Sequence, residues 1–234
     1  MPAPDEPSTA NDLKGKLPSA FSLFSKSSEI VQKNLKLYVI IYILPFASAI
    51  TTMANRTHTR YDGRFAVPTL SVTEIGGLLG LGLIFTVALV VLMVFVQAFA
   101  YALQVETAKG KQPTFDDIWA MAVKYWTRLF MLGIRVALRV IGGFFLLIVP
   151  GVRAIRKYFL APYHMIDGDL SVKEALDQSE AASERDPGAI WGVIGVGILL
   201  SFTGVFPLIG GLISLVLTAL YSAAPALRYL EMKR

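Results

Sequence analysis

Six basic side chains sit in or beside hydrophobic sequence: Arg128, Arg135 and Arg139 in one segment, then Arg153, Arg156 and Lys157 in the next. A guanidinium presents a planar fork of donors that matches the paired oxygens of a phosphate or carboxylate, so anion binding is the chemistry these residues could do. The first three are spaced by seven and four residues. On a helix turning about 100° per residue they fall within roughly 20 to 40° of one another, as a stripe. At about 1.5 Å per residue, Arg139 lies roughly 16 Å beyond Arg128, near mid-bilayer if Arg128 marks the surface. A central arginine facing lipid costs about 2.5 to 3.5 kcal/mol, so Arg135 and Arg139 together would cost on the order of 5 to 7 kcal/mol. Three arrangements avoid this: phosphates or lipid headgroups in a hydrated groove, a shallow segment whose arginines snorkel to the interface, or pairing with Glu74, Glu106 or Asp167 inside a bundle.

Other chemistry is sparse. The chain has two histidines, His58 and His164, and no cysteine, which removes disulfides, thiolate metal sites and cysteine nucleophiles together. His164, Asp167 and Asp169 form an H-x-x-D-x-D cluster; it could in principle hold a divalent cation, although metal sites usually gather more ligands and helix ends are ordinary places for polar residues. No glycine-rich phosphate loop, nucleophile elbow or zinc-protease motif occurs. We therefore assign no catalytic residue, metal or cofactor from the sequence.

The stripe must be positioned by a membrane fold. A chain with 54% hydrophobic and only 17% charged residues is too apolar for one water-soluble domain of 234 residues. Its apolar residues also come in long blocks in place of amphipathic stripes. Backbone amides in hydrocarbon must bond one another, and blocks of roughly 17 to 29 residues without alternation are helices, not barrel strands. The expected class is all-α: a multi-pass bundle of about six hydrophobic segments with interfacial amphipathic helices. The net charge of +5 fits basic loops and anionic headgroups, not a nucleic-acid surface.

Residues 1–18 read as a disordered tail and 19–234 as a single membrane-embedded domain. Over Ser19 to Lys36, Phe21, Phe24, Val31 and Leu35 recur at near-helical spacing, as in an interfacial helix or one packed on a loop. Leu37 to Met53, with a kinking Pro45, and Ile75 to Leu103 are the first two segments. Gly76 and Gly80 offer a close-packing face, and Gln97 is expected to bond across to another helix. Thr114 and Asp117 resemble a capping box that opens a surface helix through Trp126, which then enters the membrane as a third segment, Leu129 to Val149. Pro150-Gly151 is expected to end that helix sharply, so that it and the short Val152 to Ile166 either cross or form a hairpin that penetrates partway. Ser171 and Glu174 make a second capping box, opening a polar helix that Asp186-Pro187-Gly188 ends. Ile190 to Phe206 and Leu208 to Tyr229 complete the set, joined at Pro207. With the N-terminus inside, twelve basic residues fall on the inner side and six on the outer, which places both termini in the cytoplasm.

The run Leu147-Ile148-Val149-Pro150-Gly151-Val152, then Lys157-Tyr158-Phe159-Leu160-Ala161, then Ser171-x-x-Glu174-Ala175-Leu176-x-x-Ser179 resembles a group of bacterial integral membrane proteins. The group comprises the membrane domain found ahead of some glycerophosphodiester phosphodiesterases and the related YciC-type inner-membrane proteins. Phe115-Asp116-Asp117-Ile118-Trp119 and Lys33-Asn34 sit where that group has similar features, so the resemblance covers most of the chain. It implies a helical protein of the bacterial cytoplasmic membrane. The phosphodiesterase catalytic domain and its His-Arg-Gly opening are absent from this sequence, so that activity is not carried over. Expected partners are the bilayer and its anionic lipids, with other membrane proteins or a second copy of the chain also open. The functions to weigh are a non-enzymatic bundle binding anionic lipids or partner proteins, a transporter or transporter subunit with an anion site at the stripe, and a lipid-metabolism enzyme.

Overall fold

A computed structural model of the protein describes residues 17, 19–43, 72–205 and 210–233, with the side chains of 72–81 and 205 left out. The tail (apart from Leu17), Pro45 and most of the first apolar segment, the loop with His58, the contacts of Glu74, Gly76 and Gly80, and the turn at Pro207 lie outside these residues. Everything described is helix or short connection: α1 (Ser22–Lys33), α2 (35–43), α3 (Val72–Ala108), α4 (Phe115–Leu146), α5 (Ile148–Tyr158), α6 (Ala161–Gly168), α7 (Val172–Arg185), α8 (Pro187–Phe202), α9 (Gly210–Tyr221) and α10 (Ala224–Lys233). Three stretches, Gly82–Ala108, Phe115–Leu146 and Gly210–Lys233, are long and apolar enough to cross a membrane. The all-helical class is borne out among the described residues, where three such helices stand against the about six expected segments, most of the first segment lying outside those residues.

Local chemistry sets the boundaries. Both predicted capping boxes form: Thr114 Oγ1 accepts from the Asp117 amide while the Asp117 carboxylate takes the Thr114 amide, and Ser171 and Glu174 repeat this exchange. Each answers two orphan amides of a first turn. Ser171→Ala is expected to cost about 1 kcal/mol, read from the thermal midpoint in detergent. Gly110 at φ 81 closes α3, a left-handed position that glycine takes without a Cβ penalty. Asp186 does not merely end α7; its carboxylate accepts from the Ala189 amide and caps α8, with Pro187 as first helical residue.

One expectation about the third segment is corrected. Phe115 to Leu146 is one continuous helix, in which the expected surface helix and the third segment run on without a break. The break falls at Leu147, whose extended backbone (φ −168, ψ 155) reverses the chain, and not at Pro150-Gly151. Pro150 is the third residue of α5, where its missing N–H would have had no intrahelical acceptor. The close packing of α4 and α5 calls instead for glycine at 143, where a Cβ would lie 2.8 Å from the Gly151 Cα.

The core gathers at one end of α3. From Ala98 to Thr107 every residue but the half-buried Tyr101 is buried, and this stretch packs against Ile118, Ala122, Tyr125, Leu129, Leu160, Met165, Leu176 and Tyr229. The first described helix is clasped to the last two: Ser27 Oγ donates to the Leu220 carbonyl (2.6 Å) and accepts from the Ala223 amide (3.1 Å), holding the break between α9 and α10. With Leu23, Ser27 and Val31 buried, α1 is packed on the protein along that face, although Phe21 stays exposed.

Candidate functional site

The six basic residues separate into three situations. Arg128 and Lys157 are answered by acids. Arg128 Nη1 lies 2.7 Å from Asp169, which Lys124 also binds at 2.8 Å, and Lys157 bridges Glu180 (2.6 Å) and Glu184 (3.1 Å) of α7. The Lys124 ammonium, with Arg128 adding, holds the Asp169 carboxyl below its usual range, and Glu180 and then Glu184 raise the Lys157 ammonium. Arg139 instead lies over an aromatic face, its guanidinium carbon 4.9 Å from the Tyr158 ring centroid. Arg135 and Arg153 are exposed and have no ion pair among the described residues; Arg156 is half-buried, and its Nε has no hydrogen-bond partner there.

The turn between α4 and α5 is an apolar tip. Phe145 is 89% exposed and Leu146, Leu147 and Ile148 are each at least 70% exposed, the most exposed run of large hydrophobes among the described residues. Behind it, a crevice of about 520 Å³ opens between α3, α4 and α5, lined by Met93, Gln97, Tyr101, Ala137, Ile155 and Tyr158. A second, of about 640 Å³, lies between α3, α8 and α9 and shares Gln97, Tyr101 and Phe159 with the first. Both fall in the size range of small-molecule sites. Gln97 makes no hydrogen bond among the described residues, contrary to expectation; Gln104, two turns on and buried, accepts one from Tyr163 at 2.8 Å. Gln97 is exposed and stands in both largely apolar walls.

The H-x-x-D-x-D residues do not converge on a common point. No group of three potential metal ligands occurs among the described residues. Asp167, with a side chain only 6% exposed, is bound by Lys109 (2.6 Å), Lys233 (2.5 Å) and the Tyr229 hydroxyl (2.7 Å). Burial opposes its ionisation, yet these hydrogen bonds outweigh burial and hold the carboxyl well below the usual range. Glu106 extends the cluster to Lys109 and Lys111 at 2.9 and 2.6 Å. Sequence reasoning missed this network. Local signal would have had to pair Asp167 with a lysine 66 residues away.

His164 sits beside the cluster, its Nδ1 3.1 Å from Gln178 Oε1 and its ring edge-on to Tyr229. Burial lowers its pKa from the ordinary value. Its contribution to stability is therefore complete above about pH 6.5 and is lost as pH falls through the lower folded value. Wild type should lose thermal stability between pH 7 and 5.5, and His164→Asn should lose less; equal losses would remove His164 from the account.

No family model, curated protein or solved structure matches the chain.

Proposed function

We propose that the protein is a non-enzymatic, multi-pass helical bundle of a bacterial cytoplasmic membrane that binds anionic lipids, with both termini on the cytoplasmic side and its affinity lying with the membrane-domain group that the Leu147 to Ser179 motifs resemble. One observation carries the reading: Arg135 and Arg153 are exposed and have no ion pair among the described residues, and they lie on the two helices, α4 and α5, whose turn carries the exposed apolar tip. A cation flanking apolar surface is where a phosphate headgroup sits when its chains occupy that surface. Arg139, stacked on Tyr158 one turn beyond Arg135 on the stripe, supplies a further donor fork. Arg128 and Lys157 hold the scaffold through acids.

Native mass spectrometry of the protein extracted with its own lipids tests this against an Arg135→Gln, Arg139→Gln variant. Charge-assisted hydrogen bonds contribute about 1.5 to 3 kcal/mol each, so the variant should hold an anionic lipid at least about tenfold more weakly while unfolding at a similar temperature. Identical lipid complements in both proteins would reject the site.

The alternative of a transporter is favoured by the two crevices that meet at Gln97. It requires a soluble solute to raise the thermal midpoint with concentration, as RT ln(1 + [L]/Kd) demands, and Gln97→Leu to abolish the rise.

A further inference from the structure

The length and apolar character of α4 suit a crossing helix, but its neighbours do not accompany a crossing. Residues 82–93 of α3 are exposed at every position. Contact with α4 is made near the buried half, where Phe95 and Phe99 meet Trp119 and Phe115. From the Phe95–Trp119 contact, a helix running antiparallel to α3 would carry Val136 about 26 Å on, level with about residue 78 of α3. Val136 and Ala137 instead line one crevice with Met93 and Gln97. Helix α4 therefore passes obliquely over α3.

Helix α7 sharpens the point. The turn before it is tied to α4 through Asp169 at Lys124 and Arg128, and its far half is tied to Lys157 through Glu180 and Glu184, next to the Tyr158 ring under Arg139. A helix with exposed Lys173, Glu174, Asp177, Glu184 and Arg185 thus runs beside the whole arginine stripe. If α4 stood upright in hydrocarbon, these charges would go in with it, at about 2.5 to 3.5 kcal/mol for each near the centre. Meanwhile Trp119, Val123, Ile134, Leu138, Ile141 and Phe145 are exposed on one side of α4, over 26 residues or about 39 Å, and the stripe Lys124, Arg128, Arg135, Arg139 follows its edge. Such a face exceeds a hydrocarbon core of about 30 Å, and an apolar face with a cationic edge is the pattern of a helix lying in the interface.

We infer that α4, with α5, lies in the plane of one leaflet as a platform, its apolar side in the acyl chains and its arginine edge level with anionic headgroups. The partner is the lipid leaflet itself. This goes beyond selective lipid binding, since a platform needs only a surface of matching charge.

The cysteine-free chain allows a direct test. Single cysteines replace Val123, Ile134, Leu138 or Phe145 on the exposed face, with Leu83 of α3 as reference. Each full-length protein is labelled with a fluorophore and reconstituted in phosphatidylcholine–phosphatidylglycerol vesicles containing lipids spin-labelled at shallow or deep positions. Variants whose thermal midpoint departs from that of the cysteine-free protein are replaced by the neighbouring exposed position. The platform requires one shallow-to-deep quenching ratio at all four α4 sites, shallower than at Leu83. A ratio that changes steadily from Val123 to Phe145, or no quenching at any site, overturns it. Repeating the series on Arg135→Gln, Arg139→Gln separates the two proposals: lost lipid selectivity with unchanged depth leaves the platform standing, and retained selectivity with graded depth rejects the platform alone.

Discussion

Asp167→Ala is expected to lower the unfolding free energy by about 2 to 3 kcal/mol, read as a lowered denaturation midpoint in detergent. Removing one member of a buried ion pair typically costs about 3 to 5 kcal/mol, because the remaining charges are left without a partner. The discount here comes from exposure: the Lys233 side chain is 55% exposed and can rehydrate, whereas Lys109 is 27% exposed and keeps Glu106 as a second partner. The sign with pH is fixed by the depressed carboxyl. The network stabilises above the unfolded value near pH 4 and loses its contribution as pH falls toward the lower folded value, so the gap between wild type and Asp167→Ala should narrow below about pH 4. Asp169→Ala breaks an exposed cluster and should be far milder. If the two variants proved equally stable, the buried network would contribute nothing.

Gly143→Ala is the second large effect. Its Cβ would approach Gly151 Cα and N at 2.8 Å, and those are backbone atoms that move only if α4 and α5 separate. Overpacking of this kind costs about 1 to 3 kcal/mol. Gly151→Ala presents a closer approach, 2.6 Å, but to the ring of Phe144, which is 44% exposed and can swing outward; its cost should be smaller. Gly142→Ala meets nothing within 4 Å and gains the helix propensity that glycine lacks, about 0.5 to 1 kcal/mol. Thermal midpoints in the order Gly142→Ala above wild type, Gly151→Ala below it and Gly143→Ala lowest would establish the contact; a harmless Gly143→Ala would remove it.

How far the sequence could be read depends on the range over which each signal acts. The capping boxes at Thr114 and Ser171 were legible because all their partners lie within four residues. The arginine stripe was legible as a face because helical periodicity is local too. Its partners were not: Glu74, Glu106 and Asp167 were the acids weighed for Arg135 and Arg139, and it is Arg128 that finds an acid, Asp169, 41 residues on. That choice rests on α6 ending in a left-handed residue at Asp169, which no periodicity reveals. Pro150 misled by three residues, since proline disrupts a helix interior but is tolerated in a first turn. Gln97 was read as a bridge for being the polar residue of its segment, while crossing geometry gave that part to Gln104.

The clasp between α1 and the start of α10 has a consequence for synthesis. Ser27 bonds partners 193 and 196 residues later, and Tyr221 reaches back to the Ala20 carbonyl at 3.1 Å. A nascent chain must therefore present α1 with Leu23 and Val31 uncovered until α9 and the break after it have emerged, because closing so long a loop precedes any reward from the contact. Through that interval, α1 is an amphipathic segment seeking an apolar surface. A ribosome stalled before residue 220 would leave it open to chaperones, to proteases or to the lipid beside it.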